Sequence, residues 1–551
     1  MLFVLLSIAA AAATVAGEKI TVSIPTLGRV TGIVDERYDD VMIFKGIPYA
    51  KAPVGNLRFQ PPVYPHPPFG NLSALEFGDS CLQNTTSAAL QKGVYLKTSE
   101  NCLFLNVAAP RNARKLLPVM VWIHGGAYET GSSSLPLYDP VPMVHASNGS
   151  VVVVTLNYRL NIFGFLGGTQ VGRRSRDGSA GNFGIADQRC AMRWVRDHID
   201  AFFGDGRAVT IFGESAGGNS VMNHLTQPAS FDLYRAAIIE SGVYDEGASL
   251  PAVAQSKYDR VVRSSPTCGN RNDSYACLLE LNASTLLKVG LGVTGDGDGW
   301  GPVVDGVSLS NTPAQLVANM SYQSRVPVLI GSNRDEMAFW TVSTVSSELN
   351  EREFERKLNE FDRFTPEEVR EIREIYAGPD STYAYPSDFG NRSKWWWALT
   401  RASTDTVPGL GACGVRWFSR MLVGGRTPHV WGYLFAHPTQ SSATRVPSEG
   451  PDSNTVAHAS EIAYAFGHTD LLATGEEANL APVFSTYWTN FARTGDPNKP
   501  ASPSVPWPEY KDRGDTILRI DVPSAGGIRS QSGLRREACD WMEAHYRRRS
   551  Y

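Results

Sequence analysis

Apolar residues gather into short runs along this chain, and the runs predict buried β-strands separated by helical stretches. The clearest runs lie at 117–123, 209–212, 326–331 and 430–434. Strands that alternate with helices are typical of a mostly parallel sheet with helices on both faces. Two helix-rich stretches, 245–316 and 341–405, interrupt this order, and we expect them to be insertions that cap a site at the sheet.

A glycine-rich turn follows the second of these runs directly. Its sequence, Gly213-Glu214-Ser215-Ala216-Gly217, has the pattern G-x-S-x-G. Between a strand and a helix this pattern builds a nucleophile elbow, in which small flanking residues let the chain turn sharply and expose the serine hydroxyl. A serine held in this way can attack a carbonyl carbon if a histidine removes its proton. The pentapeptide alone is also compatible with a tight turn that has a capping serine.

A second group of small residues follows the first run, in the segment His124-Gly125-Gly126-Ala127-Tyr128. Small residues at a strand end let backbone N–H groups approach the oxygen of a bound carbonyl and form an oxyanion hole. The N–H of Ala216, the first residue of the predicted elbow helix, would add a further donor. The two motifs together, in this order, are much rarer than either alone and indicate acyl-transfer chemistry.

The order of these motifs predicts an acid and then a histidine on the C-terminal side of Ser215. The run 326–331 leads into Ser332-Asn333-Arg334-Asp335-Glu336. Its two carboxylates lie just past a strand end, where a parallel sheet places catalytic loops. The spacing does not choose between Asp335 and Glu336.

Five histidines lie downstream of these carboxylates, namely His429, His437, His458, His468 and His545. His458 lies in a polar loop just before the apolar segment 461–466, from which it can face the site. His468 is the alternative. Since a lone histidine is more often structural than catalytic, the residues alone do not decide between the two.

Motifs along nearly the whole mature chain resemble a known family. The matching segments are 44–50, 53–55, 57–59, 99–107, 157–160, 181–185, 187–188 and 209–218. In them the chain resembles the type-B carboxylesterases, the carboxylesterase and cholinesterase family of the α/β-hydrolase fold. The resemblance implies an α/β protein with a large, mostly parallel central sheet, helices on both faces and helical insertions. It also implies an enzyme that hydrolyses carboxylic esters without a cofactor.

The resemblance further implies a role for each site residue. The family's nucleophile matches Ser215, and its acid, the glutamate of an Asn-x-Asp-Glu segment, matches Glu336. Its histidine precedes a Glu-Ile pair by two intervening residues and matches His458. Its oxyanion donors match the N–H groups of Gly126, Ala127 and Ala216.

Five residues depart from the family's pattern. They are Asn101 for an aspartate, Phe203 and Gly206 for a glycine and a proline, Met337 for the glycine after the acid, and Ala127 for the third glycine. Met337 would make its loop turn differently or expose a large apolar side chain. Ala127 keeps its N–H, so we expect the oxyanion hole to survive.

The chain has seven cysteines, and spacing alone cannot resolve their pairing. The resemblance implies the bridges Cys81–Cys102, Cys268–Cys277 and Cys413–Cys539. It leaves Cys190 unpaired in a predicted helix, where a small buried apolar residue is the simplest interpretation. The sequence has neither paired C-x-x-C motifs nor H-E-x-x-H, and we expect no metal site.

The N-terminus is typical of a secretory signal. Residues 1–17 combine an apolar run, an alanine-rich stretch and small residues suited to cleavage. We therefore expect a single secreted domain over 18–551, without a stable membrane anchor, because no later apolar run is long enough to span a bilayer. Seven N-x-S/T sequons are candidate glycosylation sites, at Asn71, Asn84, Asn148, Asn272, Asn282, Asn319 and Asn391.

The sequence leaves the natural ester open. Cholinesterases hold a quaternary ammonium group on a tryptophan of the first disulfide loop. The loop 81–102 has no tryptophan, only Tyr95, which disfavours choline esters. Three tryptophans at 395–397 could line a channel, but packing onto the core is the favoured interpretation. Short aliphatic or aryl esters, acyl glycerides and sterol esters all remain candidates.

Two other functions fit the same resemblance. An interfacial lipase or sterol esterase would carry exposed apolar residues on a mobile cap. A catalytically silent adhesion protein is disfavoured, because the serine, glutamate and histidine are all present. The net charge of −4 and the dispersed basic residues argue against a nucleic-acid partner. We therefore expect a small-molecule or lipid ester as the substrate.

Overall fold

The computed structural model describes residues 17–85, 94–243, 247–294, 299–361, 364–378, 381, 391–441, 454–511 and 514–549. The predicted signal peptide at 1–17 lies outside the described residues, apart from Gly17. The described strands are β1 (Lys19–Ile24), β2 (Gly28–Val34), β3 (Val41–Pro48), β4 (Gly70–Ser73), β5 (Ser80–Cys81), β6 (Thr98–Ser99), β7 (Phe104–Pro110), β8 (Leu117–Ile123), β9 (Val152–Leu156), β10 (Gly204–Glu214), β11 (Ala236–Glu240), β12 (Val328–Asn333), β13 (Val430–Phe435), β14 (Thr516–Ile520) and β15 (Arg529–Ser532).

An α-helix follows each of the strands from β8 to β13. The described helices are α1 (Val141–Ala146), α2 (Asn161–Phe165), α3 (Thr169–Arg174), α4 (Phe183–His198), α5 (Ala216–Thr226), α6 (Pro251–Ser264), α7 (Ser274–Glu280), α8 (Ala283–Gly292), α9 (Pro313–Ala318), α10 (Ala338–Thr344), α11 (Glu351–Phe361), α12 (Pro366–Ala377), α13 (Lys394–Thr404), α14 (Ala412–Gly424), α15 (Ile462–Ala465), α16 (Gly475–Thr494) and α17 (Arg536–Arg549). Both stretches predicted to be helix-rich insertions are helical, since α6 to α9 lie in the first and α11 to α13 in the second.

One large sheet organises the fold. Its strand order is β1-β2-β3-β7-β9-β8-β10-β11-β12-β13-β14-β15, with β4 paired to β2, while β5 and β6 pair separately. From β9 to β14 every neighbouring pair in this order is parallel. The strands β1, β2, β3 and β7 on one side, and β15 on the other, pair antiparallel. The predicted mostly parallel sheet is confirmed.

The sequence of β8 shows how the sheet is buried on both faces. Val119, Val121 and Ile123 belong to one hydrophobic cluster, whereas Met120 and Trp122 belong to a second. Successive side chains of a strand point to opposite faces. A continuous apolar run is therefore what a strand covered on both faces requires.

The parallel strands all end at the same edge of the sheet, and the loops with the predicted site residues leave from that edge. Gly126 follows β8, Ser215 follows β10 and Glu336 follows β12. In open α/β sheets, ligands bind outside the carboxyl ends of the strands. The register of the sheet therefore brings these three segments together, although they lie far apart in the sequence.

The three consecutive tryptophans lie on α13. Trp396 and Trp397 are fully buried, and Trp395 packs partly buried against the same core, with its ring centroid 5.5 Å from that of Phe354. Their main role is therefore to hold the insertion onto the body of the protein, as the sequence interpretation favoured.

Three disulfides join the pairs that the resemblance implied. They are Cys81–Cys102, Cys268–Cys277 and Cys413–Cys539, and Cys190 is free and buried. The third bridge ties α17 to α14 across 126 residues of sequence. Closing so long a loop restricts the unfolded chain, which stabilises the folded one.

Phe203 stands where the resembling family has glycine, and its backbone explains that preference. Its φ of 62° lies in the left-handed region, which glycine adopts without steric cost. The ring is partly buried and packs against the main core. This packing offsets part of the strain.

The surface carries the predicted sequons. All seven asparagines at these positions are exposed. In the described part of the chain no helix is both long and apolar enough to cross a membrane. The same residues contain no cluster of His, Cys, Asp and Glu side chains that could hold a metal ion.

Candidate active site

Ser215 lies in a strained turn between β10 and α5. Its φ of 57° and ψ of −122° are sparsely populated for a residue with a side chain. The glycines around it make the turn possible, since a Cβ on Gly217 would lie 1.9 Å from the carbonyl oxygen of Ile123. Such strain persists only where the surrounding structure holds it in place, and it clusters at functional sites. The geometry is that of the predicted elbow.

The loop after β8 packs directly against this serine. A Cβ on Gly125 would lie 2.9 Å from the Cβ of Ser215, so only glycine allows this approach. Gly126, Ala127 and Tyr128 have φ values of 106°, 55° and 59°. The amide groups of Glu129 and Thr130 both donate to the Gly126 carbonyl at 2.9 Å and close the turn.

Tyr128 keeps this unusual backbone in place. Its ring is buried, and its hydroxyl donates to Oδ1 of Asn219 on the elbow helix at 2.9 Å. Its carbonyl accepts from the Asn161 amide at 2.7 Å.

Three backbone N–H groups of the elbow and of the loop after β8 have no described partner. Within the described part of the chain, no hydrogen-bond acceptor is assigned to the N–H groups of Gly126, Ala127 or Ala216. The N–H of Ser215 itself is used, because it donates to the Glu240 carbonyl at 2.9 Å. The three groups predicted as oxyanion donors are therefore unpaired among the described residues.

His458 and Glu336 meet in a buried hydrogen bond. Nδ1 of His458 donates to Oε2 of Glu336 at 2.6 Å, and the two residues are 6% and 0% exposed. The other oxygen of Glu336, Oε1, accepts from the Ser241 hydroxyl at 2.6 Å and from the backbone N–H of Asn333 at 2.5 Å. A proton held on Nδ1 leaves Nε2 as the nitrogen that can accept another.

Asp335 faces away from the imidazole. Its carboxylate accepts from Nε of Arg334 at 2.9 Å and from Nε of Arg401 at 3.4 Å. Burial alone would raise the pKa of Asp335, but the neighbouring arginines outweigh it and lower the pKa. The contacts thus distinguish the two carboxylates, which the sequence spacing could not do. Glu336 binds the histidine, and Asp335 binds arginines.

Met337 fits the acid loop without strain. Its φ of −71° is ordinary for any residue, and its amide donates to the Thr404 hydroxyl at 3.0 Å. Its side chain is partly buried, so the loop needs no glycine at this position.

The other downstream histidines pair with carboxylates elsewhere. Nδ1 of His468 lies 3.1 Å from Oδ1 of Asp470, a contact separate from Glu336. The remaining pairs are His429 with Glu509, His437 with Glu477 and His545 with Glu368. His458 alone among these five histidines has a described contact with Glu336.

Nε2 of His458 points toward a carboxylate whose role the sequence left open. It lies 3.1 Å from Oε1 of Glu214, the residue before the elbow serine. Among the described residues, no hydrogen bond joins the Ser215 hydroxyl to His458. The serine, the acid and the histidine therefore lie at the same edge of the sheet, but only the acid and the histidine share a hydrogen bond.

Two aromatic residues of α10 lie beside the imidazole. The ring centroids of Phe339 and Trp340 lie 6.2 Å and 5.2 Å from that of His458. Trp340 is 38% exposed, which is unusual for a tryptophan in this chain. The pair gives the site an apolar wall open to solvent.

Comparison with known proteins places the chain in a family. Residues 18–542 match the model of the carboxylesterase family. The chain belongs to the carboxylesterase family.

Its relatives support the assignment over most of its length. The chain is 32% identical to the para-nitrobenzyl esterase of Bacillus subtilis (strain 168), with 90% of this chain and 93% of that protein covered. It is also 32% identical to carboxylesterase 1C of Rattus norvegicus, with 87% and 85% covered. It is 30% identical to the acetylcholinesterase of Danio rerio, with 93% and 86% covered.

A solved structure supports the same fold. The crystal structure of the carboxylesterase EST55 of Geobacillus stearothermophilus superposes with a TM-score of 0.76 at 31% identity, covering 94% of this chain and 99% of that one. This carboxylesterase is therefore a carboxylic ester hydrolase of the α/β-hydrolase fold, with small-molecule esters as its class of substrate.

Buried carboxylates surround the histidine of this carboxylesterase. Burial and the neighbouring acids raise the pKa of Glu214 to about 8 and that of Glu461 to about 7. Burial lowers the pKa of His458, but Glu214 and Glu336 outweigh it and raise that pKa to about 9. The site therefore favours a proton on the imidazole more than water does.

Sequence reasoning missed three polar residues around this cluster. Glu240 ends β11, Ser241 follows it directly, and Glu461 comes after the histidine, with its carboxylate accepting from Nδ2 of Asn333 at 2.6 Å. The rule that loops at strand ends carry site residues would have found the first two, because the apolar segment 236–239 precedes them. The sequence points to Glu461 only as part of the Glu-Ile pair that follows His458.

Replacing Glu214 by glutamine should move the acidic limb of kcat/KM to lower pH. The imidazole acts as a base only when neutral, so the limb follows the pKa of His458, and removing a neighbouring negative charge lowers that pKa. We expect a shift of about one pH unit. The measurement is kcat/KM for one p-nitrophenyl ester across the pH range.

Glu240→Gln is the matched control. Glu240 is also fully buried beside the elbow, but its Oε1 accepts from Nε1 of Trp488 at 2.8 Å and does not face His458. The acidic limb of kcat/KM for Glu240→Gln should stay near the wild-type pH. An unmoved limb in Glu214→Gln would show that Glu214 does not set the pKa of the base.

Proposed function

We propose that this carboxylesterase is a secreted serine esterase that works through an acyl-enzyme, with Ser215 as nucleophile, His458 as base and Glu336 as acid. The observation that carries the proposal is the buried 2.6 Å hydrogen bond between His458 and Glu336, formed beside a serine in the elbow conformation. A nucleophile, a base and a residue that orients the base are the parts that acyl transfer needs.

Acylation begins when Oγ of Ser215 attacks the ester carbonyl and Nε2 of His458 takes its proton. Glu336 keeps the other proton on Nδ1 and stabilises the imidazolium that forms. Nε2 of His458 lies 3.1 Å from Glu214, but neither this nitrogen nor Oε1 of Glu214 has a hydrogen-bond partner among the described residues, so Nε2 has no bond to give up before it accepts the serine proton.

The tetrahedral oxyanion is held by the unpaired N–H groups of Gly126, Ala127 and Ala216. Each such donor contributes about 3 kcal/mol to the transition state. Ala127 adopts a φ of 55° despite its side chain, and its amide has no acceptor among the described residues, so the substitution for glycine is compatible with this role.

The imidazolium then returns its proton to the alcohol, which leaves. In the second half of the cycle His458 takes a proton from water as the hydroxide attacks the acyl carbon. The imidazolium then returns this proton to Oγ of Ser215 as the bond to the acyl carbon breaks and the carboxylic acid is released. No step needs a metal or a cofactor, and the residues that we assign supply every proton transfer.

The substrate that we propose is a small neutral ester. Trp340 and Phe339 offer an apolar wall next to the base, which suits an acyl or alkoxy group. The relatives include an acetylcholinesterase, but the loop 81–102 of this chain has no tryptophan to hold a quaternary ammonium group.

Secretion is the setting that fits this chemistry. Three disulfides form and persist in oxidising compartments. The exposed sequon asparagines are suited to N-glycosylation, and residues 1–17 supply the export signal.

Ser215→Ala should abolish ester hydrolysis and leave the fold intact. Alanine fits the same turn, and removing such a nucleophile lowers kcat by about a million-fold. The assay uses p-nitrophenyl esters of increasing acyl length, after circular dichroism shows that the variant is folded. Ser403→Ala is the control, since that buried hydroxyl binds carbonyl groups of its own helix. Comparable activity in both variants would mean that another nucleophile acts.

His458→Ala should lower kcat as far as Ser215→Ala does, and the two changes together should add little, because the residues act as one unit. His468→Ala should keep most of the activity, because that imidazole pairs with Asp470. Steady-state kinetics of the two single variants on one ester separates them. The reverse order of kcat would assign the base to His468.

A further inference from the structure

A long connection separates the base, His458, from the end of the strand before it. β13 ends at Phe435, and His458 follows after a connection of which residues 442–453 lie outside the described residues. The acid, by contrast, lies only three residues beyond the end of β12. Holding Nδ1 of His458 at 2.6 Å from Glu336 therefore requires contacts that fix the far end of this connection.

Arg334, two residues before the acid, binds both ends of that connection. Its Nη1 donates to the carbonyl of Ala436 at 3.3 Å, and its Nη2 donates to the carbonyl of Asn454. Its own amide donates to the Phe435 carbonyl at 3.0 Å. One side chain thus joins the point where the chain leaves β13 to the point from which it returns toward the site.

The next two residues continue this pairing in order. The amide of Asp335 donates to the Val456 carbonyl at 2.9 Å, and its Oδ2 accepts from the Val456 amide at 3.2 Å. The amide of His458 donates to the Glu336 carbonyl at 3.3 Å. Residues 334, 335 and 336 therefore contact residues 454, 456 and 458 in turn, and the last contact joins the acid to the base.

The guanidinium suits this position better than an ammonium would. Arg334 uses Nη1 and Nη2 for the two carbonyls while its Nε donates to Oδ2 of Asp335 at 2.9 Å. A planar fork can make these three bonds at once, whereas a lysine presents one nitrogen. Behind it, Nη2 of Arg535 donates to the Arg334 carbonyl at 2.6 Å and anchors the backbone from the C-terminal segment.

We propose that Arg334 is a positioning residue for the reaction, because it fixes the segment that carries the base against the loop that carries the acid. The proposal rests on the proposed function, in which His458 and Glu336 act together. Arg334 contacts neither the serine nor the substrate in this scheme. Its effect passes through the geometry of the hydrogen bond between Glu336 and His458.

Arg334→Gln tests the proposal, because it keeps a polar side chain that cannot span both carbonyls. A misplacement of about 1 Å at a reacting group can cost about 100-fold in rate. We expect kcat to fall by about 10- to 100-fold with KM changed by less than about threefold. Arg334→Lys, which keeps the charge beside Asp335, should lose less.

Arg58→Gln is the matched control for a purely structural loss. Arg58 is a buried arginine that, like Arg334, joins distant segments, since it binds Glu100 and the carbonyls of Leu278, Leu279 and Leu281. Its variant should have a lowered Tm but keep the wild-type kcat per folded molecule. All variants are normalised to folded protein by circular dichroism and by active-site titration.

A second measurement separates positioning from stability alone. In a Glu336→Gln background the hydrogen bond that Arg334 supports has lost its charge, so Arg334→Gln should lower kcat there by less than about threefold. Equal losses in both backgrounds, or a wild-type kcat in folded Arg334→Gln and Arg334→Lys, would overturn the proposal. These outcomes leave the proposed function standing, whereas an active Ser215→Ala variant would remove it.

Discussion

One buried hydrogen bond, from Nδ1 of His458 to Oε2 of Glu336, is the contact on which the rest of the site depends. It joins the end of β12 to a segment that returns from β13, so both strands and their connections must be in register before it can form. Ser241 and Asn333 occupy the other oxygen of Glu336, which leaves the carboxylate one geometry in which to meet the imidazole. The parallel sheet therefore acts as the frame that makes this bond possible.

Electrostatics around the bond work in opposite directions. Glu214 and Glu461 are buried close to Glu336, and burial together with the neighbouring carboxylates raises the pKa of Glu214 and of Glu461. The same carboxylates stabilise a proton on His458. A transition state that carries an imidazolium is favoured by such surroundings, whereas the free base is formed less readily at neutral pH. A smaller fraction of His458 is therefore neutral in the resting enzyme, but the imidazolium that forms during the reaction is better stabilised.

Sequence was sufficient where a motif acts through neighbours in the chain. The turn at Ser215, the small residues after β8 and the alternating faces of β8 all follow from local sterics and periodicity. Sequence spacing failed where partners come from distant segments. It could not choose between Asp335 and Glu336, because that choice is made by Arg401 on one side and by His458 on the other. It gave no role to Arg334, whose contact with Asn454 spans 120 residues.

The central claim is that Ser215 is the nucleophile of an acyl-enzyme, and covalent labelling tests it most directly. The protein is treated with a fluorophosphonate until esterase activity is lost, digested, and analysed by peptide mass spectrometry. The account predicts one adduct per molecule, on the peptide with Ser215, formed in proportion to the activity lost, and no adduct after prior saturation with a slowly hydrolysed ester. Complete loss of activity with Ser215 unmodified, or stoichiometric labelling of Ser215 with activity retained, would contradict it.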